Sequence, residues 1–220
     1  MATDGHPNGA QDRGLSPLSR AIIAFELSAC LGHTFRMDSY AVLFRGINVG
    51  GKNKVSMSDL KGVCSAVGLE SPKTLLQSGN VACRCAGKSA SQLEREIGSQ
   101  FRTEFGYSVM VHVRSLEELR RVIAGNPFVE EARSDPSHFV GIFLAESPES
   151  SDVLKVKGAI TGRERIEAGL RVVYAWYPDG IGESKLDRTP GWSKLVSDGT
   201  ARNWNTILKL EALCAAVADQ

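Results

Sequence analysis

Tyr40-Ala41-Val42-Leu43-Phe44-Arg45-Gly46-Ile47-Asn48-Val49-Gly50-Gly51-Lys52-Asn53-Lys54 contains two elements and announces a third. Tyr40 to Phe44 is a short apolar run of the kind a buried strand needs, and charge arrives abruptly at Arg45. Beyond Lys54, Ser56-Met57-Ser58-Asp59 resembles a helix capping box with Asp in the place of Glu. Met57, Leu60, Val63, Cys64 and Val67 then recur at helical spacing until Gly68 stops them. The order is strand, glycine-rich basic loop, helix. Gly46, Gly50 and Gly51 let the backbone turn sharply and aim N–H groups at a ligand. Arg45, Lys52 and Lys54 add charge, Asn48 and Asn53 add amides, and no carboxylate lies between Arg45 and Val55. A loop of this chemistry suits an anion, phosphate above all.

Downstream, Lys73 to Gln77 reads as a strand, Ser78-Gly79 as a tight turn and Asn80 to Cys85 as the return strand. Ser91 to Phe105 is a helix with Leu93, Ile97, Phe101 and Phe105 on one face, and Tyr107 to Val113 a strand of alternating valines. The order β-α-β-β-α-β predicts an α+β protein whose N-terminal unit, residues 37–114, is ferredoxin-like. In that arrangement the loop after the first strand and the hairpin joining the second and third emerge at one end of the sheet. Arg45–Lys54 is therefore expected beside Gln77-Ser78-Gly79-Asn80.

A second, smaller α+β unit is expected over residues 115–220. Ser115 to Ala124 reads as a helix, Glu130 to Pro136 as a charged loop and His138 to Ala145 as a strand. A weak helix follows at Ser150 to Lys157, then a hairpin around Gly169 and a break at Pro178-Asp179-Gly180-Ile181-Gly182. The last helix runs from Trp204 to Val217. Residues 1–36 read as a disordered or weakly ordered extension, rich in Gly, Pro, Asp and Ser up to Leu18, with Met37 as an alternative natural start.

The formal net charge of +1 gives no global field for nucleic acid or membrane, so anion binding must come from local clusters. No apolar run reaches the roughly 18 residues of a membrane span. Five cysteines, an odd number in a chain of 220 residues, read as reduced thiols of a cytoplasmic protein. Cys83-Arg84-Cys85 lacks a second cysteine pair or a nearby His, so no metal and no cofactor is expected.

Gly46, Gly51 and Lys52 fit GxxxxGK, but Asn53 stands where Ser or Thr would hold magnesium, so an NTPase P-loop is not expected. Arg202-Asn203-Trp204-Asn205-Thr206 is a further polar cluster, at the start of the last helix. Asn203 suits an N-cap, and a helix start beside an arginine is an anion site in its own right. Ser184-Lys185 is a weaker piece of the same kind. His112 and His138 lie on strands and read as structural. The third strand, Asn80 to Cys85, has no aromatic residue for base stacking, which excludes RNA recognition on the sheet face.

These segments together resemble a known family. Tyr40 to Gly51, Gln77-Ser78-Gly79-Asn80, Asn126-Pro127-Phe128, Pro178 to Gly182, Ser184-Lys185-Leu186 and Arg202 to Thr206 are similar, in order, to the bacterial domain-of-unknown-function family 1697. The resemblance runs from about Met37 to Ala216 and implies a two-part α+β protein; it supplies no reaction. Asp187 departs from the polar uncharged residue the family pattern has after Ser-Lys-Leu, which places a carboxylate beside Lys185.

The expected function is binding of a phosphate-bearing ligand, a nucleotide or nucleic acid, in a polar basic cleft between the two units. The expected contacts are Arg45, Gly46, Asn48, Gly50, Gly51, Lys52, Gln77, Ser78, Asn80, Ser184, Lys185, Arg202, Asn203, Asn205 and Thr206. The alternatives are phosphoryl or acyl-phosphate chemistry at the same residues, and a protein-interaction scaffold. The sequence names no catalytic base and leaves open whether there is turnover.

Overall fold

The structure, a computed structural model, describes residues 37–50 and 53–220, and Met37–Gln220 forms one compact unit. The reading of residues 1–36, and of Gly51 and Lys52, lies outside the described residues.

The first half runs β1 (Met37–Phe44), α1 (Met57–Ala66), β2 (Glu70–Leu75), β3 (Asn80–Ala86), α2 (Ala90–Phe105) and β4 (Val111–Ser115). These strands form an antiparallel sheet in the order β2-β3-β1-β4. Ser56 caps α1 by accepting from the Asp59 N–H, as the sequence predicts, and Gly106 closes α2 in the left-handed region. β2 begins before the expected Lys73, because Ser71-Pro72 forms an irregularity in an edge strand where proline can be tolerated. Tyr107 and Val109 pack on the core without joining the ladder, so β4 starts later than their alternation suggests.

α3 (Leu116–Ala124) and α4 (Val129–Ser134) connect to the second half. There β5 (Phe139–Phe143), α5 (Ser150–Ala159), β6 (Arg165–Gly169), β7 (Val172–Trp176), α6 (Trp192–Leu195) and β8 (Thr200–Asn203) precede the long α7 (Trp204–Ala218). The second sheet is also antiparallel, in the order β6-β7-β5-β8. Both the order of elements along the chain and the order of strands in the sheet repeat those of the first half. β8 and α4 were not legible in the sequence. They occupy what reads as a helix-start cluster and a charged loop.

Three apolar clusters stack through the molecule. One face of the first sheet carries Val42, Phe44, Val81 and Val113 against Leu60, Val63, Leu93, Ile97 and Phe101 of α1 and α2. Its other face, through Ala41, Leu43 and Ala82, meets α3 and α7, which also pack on Phe139, Phe143, Val172 and Tyr174 of the second sheet. The far face of that sheet carries Val140, Ile142, Val173 and Ala175 against α5 and α6. Burying one such side chain contributes about 1.5–3 kcal/mol. The middle cluster, fed by Leu119, Val122, Ile207, Leu210, Cys214 and Val217, is therefore what binds the sheets together.

Candidate functional site

The loop after β1 is a coil of residues with positive φ: Gly46 at 70°, Asn48 at 55°, Gly50 at 59° and Asn53 at 50°. Asparagine is among the few non-glycine residues that accept this region readily. Asn48 is fixed at both ends. Its Oδ1 accepts from the Val55 N–H at 2.8 Å, and its Nδ2 donates to the Val55 carbonyl and to the Gln77 carbonyl, each at 2.9 Å. Asn53 Nδ2 donates to the Gly46 carbonyl at 3.2 Å, and Ile47 is buried beneath the loop. One asparagine thus staples the basic loop to the hairpin turn, and the two segments meet at one end of the sheet.

Between them lies a cavity of about 360 Å³ lined by Asn48, Lys54, Val55, Ser56 and Gln77. No carboxylate is in that lining. Ser56 is the cap of α1, so the positive end of a ten-residue helix opens there. Lys54 makes no ion pair or hydrogen bond among the described residues, and Gln77 uses only its carbonyl. Gly50 is exposed at the loop tip, and Gly46 sits at its root. Arg45 is turned away: it donates to the Ser197 carbonyl and lies 4.0 Å from Met110 Sδ.

Arg202 also reaches this end of the molecule, but for another purpose. It is 8% exposed, and its guanidinium is spent on the protein itself. Nε donates to Asn80 Oδ1, Nη1 to Thr200 Oγ1 and the Ala201 carbonyl, and Nη2 to the carbonyls of Phe44, Ser78 and Gly79. Burial lowers its pKa to about 10, which leaves it charged at neutral pH. Arg202 therefore has no N–H left for a ligand. Asn80 is committed as well, with Nδ2 on the Leu75 carbonyl and on Ser78 Oγ, both at 3.0 Å. Asn203 caps α7 by accepting from the N–H and hydroxyl of Thr206. Asn205 is exposed on the first turn of α7, while Thr206 is buried.

Ser184 and Lys185 line a separate cavity of about 180 Å³ with Thr161, Arg163, Glu164 and Tyr177, to which the glycine loop contributes nothing. The carboxylate of Asp187 accepts from Trp192 Nε1 at 3.2 Å and does not pair with Lys185.

One residue escaped sequence reasoning. Arg114, 1% exposed on β4, donates to the carbonyls of Leu144 and Arg171 in the second half and to Glu94 Oε1 at 3.3 Å. Its register partner is Ala41, as that of Arg202 is Gly141. Each arginine is the penultimate residue of its sheet's last strand, precedes a capping residue (Ser115 or Asn203) and reaches carbonyls of the opposite half. The repeated pattern Arg114-Ser115-Leu116 and Arg202-Asn203-Trp204 before a helix was the available signal. Lys54 and Ser56, which line the loop cavity, belong to the same stretch that drew attention first.

Comparison with known proteins gives a family and a fold. The model of the family described as "Protein of unknown function (DUF1697)" matches residues 37–174. Among solved structures, the chain is similar to the conserved bacterial protein SP0830 from Streptococcus pneumoniae. Their identity is 24% and the TM-score 0.64, over 81% of this chain and 99% of that one. None of the curated proteins matches. At that identity the likeness is one of fold, and it brings no activity with it. No helix among the described residues is long and apolar enough to cross a membrane.

Proposed function

We propose, for a chain that belongs to this family of unknown function, DUF1697, that it binds a phosphate-bearing ligand where the glycine-rich loop after β1 meets the hairpin turn between β2 and β3. On this reading both halves are ferredoxin-like units. The loop occupies the first β–α connection of the first one.

The observation that carries the reading is the cavity at Asn48, Lys54, Val55, Ser56 and Gln77, with an unpaired lysine, a helix N-terminus and no carboxylate in its wall. Lys54 supplies charge, the Gln77 amide can bond a sugar or phosphate oxygen, and the α1 end attracts negative charge. Gly50, exposed at the loop tip, is a further contact on this reading, and Gly51 and Lys52 are included from the sequence alone. Ser78 and Asn80 shape the turn, and Arg202 holds it from below. Arg45, Asn203, Asn205 and Thr206 fall to supporting roles. The described wall holds a lysine, amides and a hydroxyl and neither a histidine nor a carboxylate, which favours binding over phosphoryl or acyl-phosphate turnover.

The test is a titration of the full chain with nucleoside mono-, di- and triphosphates and a short RNA, repeated for Lys54→Ala and for Lys52→Ala/Lys54→Ala. A charge-assisted hydrogen bond contributes about 1.5–3 kcal/mol, so each lysine should weaken binding by about one to two decades. Equal affinity in wild type and double variant would end the proposal.

A further inference from the structure

Two arginines are buried among the described residues, Arg114 at 1% exposure and Arg202 at 8%. Arg114 has the Glu94 carboxylate 3.3 Å away. Arg202 bonds only to neutral oxygens: the Asn80 amide, the Thr200 hydroxyl and the main-chain carbonyls of Phe44, Ser78, Gly79 and Ala201. Those dipoles satisfy its N–H groups, but they have no net charge, so the positive potential persists beyond them. A charge withdrawn from water is costly unless an opposite charge lies near it, which is why buried ions come in pairs. Arg202 is the exception in this fold.

Its neighbours add to the excess. Phe44, whose carbonyl accepts from Arg202, precedes Arg45, and Arg45 bonds to the Ser197 carbonyl and to no carboxylate among the described residues. Ser78, whose carbonyl also accepts from Arg202, follows Gln77 of the loop cavity, where Lys54 is unpaired. This end of the first sheet therefore gathers three cations, and none of them has a carboxylate bonded to it among the described residues. Salt and water screen a buried charge far less than an exposed one, so Arg202 acts on the cavity without touching its contents.

We propose that the loop cavity selects a dianionic phosphomonoester over a phosphodiester, and that Arg202 is the buried charge that sets this preference from below. The inference rests on the binding reading under Proposed function and narrows its ligand class. A phosphomonoester carries about −1.5 to −2 at neutral pH, whereas each phosphate inside a nucleic-acid strand carries about −1. Lys54 alone matches the second. Lys54 with an unbalanced guanidinium one residue beyond Gln77 matches the first. The ligand is then a nucleoside monophosphate or another small phosphomonoester, not the interior of an RNA or DNA strand.

The experiment is isothermal titration of the full chain with the four ribonucleoside 5′-monophosphates and their phosphate methyl esters, which differ from them by one charge. At pH 7.5 at least one monophosphate should bind about tenfold more tightly than its ester. The gap should close as pH falls through about 6, where the monoester takes up its second proton. Arg202→Gln should shrink the gap to about threefold or less, and Arg202→Lys should keep most of it. Both variants loosen the turn, but that loss falls on both ligands alike and leaves their ratio unchanged. Lys54→Ala, at an exposed position, should weaken both ligands and keep a gap above about threefold. Equal binding of monophosphate and ester by the parent overturns the inference and leaves the binding reading standing. A gap that ignores pH, survives in Arg202→Gln, is lost in a folded Arg202→Lys or is lost in Lys54→Ala does the same. Binding of none of the nucleotides overturns both.

Discussion

The two halves share an order of elements and differ in what they do with the first turn of it. In the first half β1 leads into Arg45–Ser56, with three glycines and the cations Arg45, Lys52 and Lys54. In the second half β5 leads into Leu144-Ala145-Glu146-Ser147-Pro148-Glu149, which is short and acidic. The second connection is closed on the protein: the Ala145 N–H donates to Asp198 Oδ2, the Ala145 carbonyl accepts from Arg171 Nε, and Ser147 Oγ accepts from the Arg171 N–H. The first leaves a cavity with an unpaired lysine. One frame, used twice, carries opposite charge at the same topological place. What both copies keep is the bracing arginine, and there they differ in a second way. Arg114 has the carboxylate of Glu94 beside it, shared with Arg171, whereas every group bonded to Arg202 is a carbonyl, a hydroxyl or an amide.

The sharpest test of that difference compares truncations. Arg202→Ala removes the side-chain donor from the Phe44 and Ser78 carbonyls and Asn80 Oδ1, leaves the Gly79 carbonyl with the Phe44 N–H alone, and should cost about 3–5 kcal/mol in urea unfolding. Arg114→Ala should cost less, about 2–3 kcal/mol, because Glu94 keeps Arg171 and the Val113 N–H. Losses under about 1 kcal/mol would show that neither arginine braces the halves, and equal larger losses would show that the Glu94 carboxylate makes no difference between them. Next in size is Gly79→Ala. At φ +75° a Cβ would sit 2.9 Å from Ile47 Cγ1 and 3.0 Å from Phe44 Cβ, whereas Arg171 holds the matching turn of the second half at φ 55°. About 2 kcal/mol is expected, with a shifted Asn48 amide signal by NMR. Asn203→Ala removes the α7 cap and should cost about 1 kcal/mol, and Ser115→Ala a similar amount at α3.

The smallest effect concerns acid. His112 is buried, with Nε2 on the Asp198 carbonyl and Nδ1 without a partner; the second half has Thr200 in the matching place. Burial lowers the His112 pKa, so the unfolded chain takes up the proton first, at about 6.5. Stability should therefore fall as pH drops from above that value through the lower folded pKa. His112→Gln should lose less over the same interval, and parallel unfolding curves for the two proteins would refute it.

Sequence reasoning reached the first half because its patterns are unmixed. Apolar β1, the Ser56 cap and the Gly79 turn each have a single local reading, and Asn48 and Gln77 meet where the strand order implies. It failed at β8 because Thr200-Ala201-Arg202-Asn203 buries Thr200 and Arg202 and exposes Ala201, the reverse of the usual alternation. It read α4 as a loop because six residues with one buried alanine carry no period. At the candidate site, residue type gave the anion preference of the loop. It could not show that Arg202, the strongest cation by pattern, is filled by main-chain carbonyls, since those partners come from residues more than a hundred positions away.

The exchange of arginines has one more consequence. A contact in which each side gives the same group and receives the same group is the rule of an isologous dimer face. Here both sides sit on a single polypeptide, joined through α3 and α4. The self-matching surface that a lone copy of this frame would offer to a twin is already used up within one chain. The divergence of the two turns follows naturally, because a tethered pair, unlike two identical subunits, can change one mouth and leave the other shut.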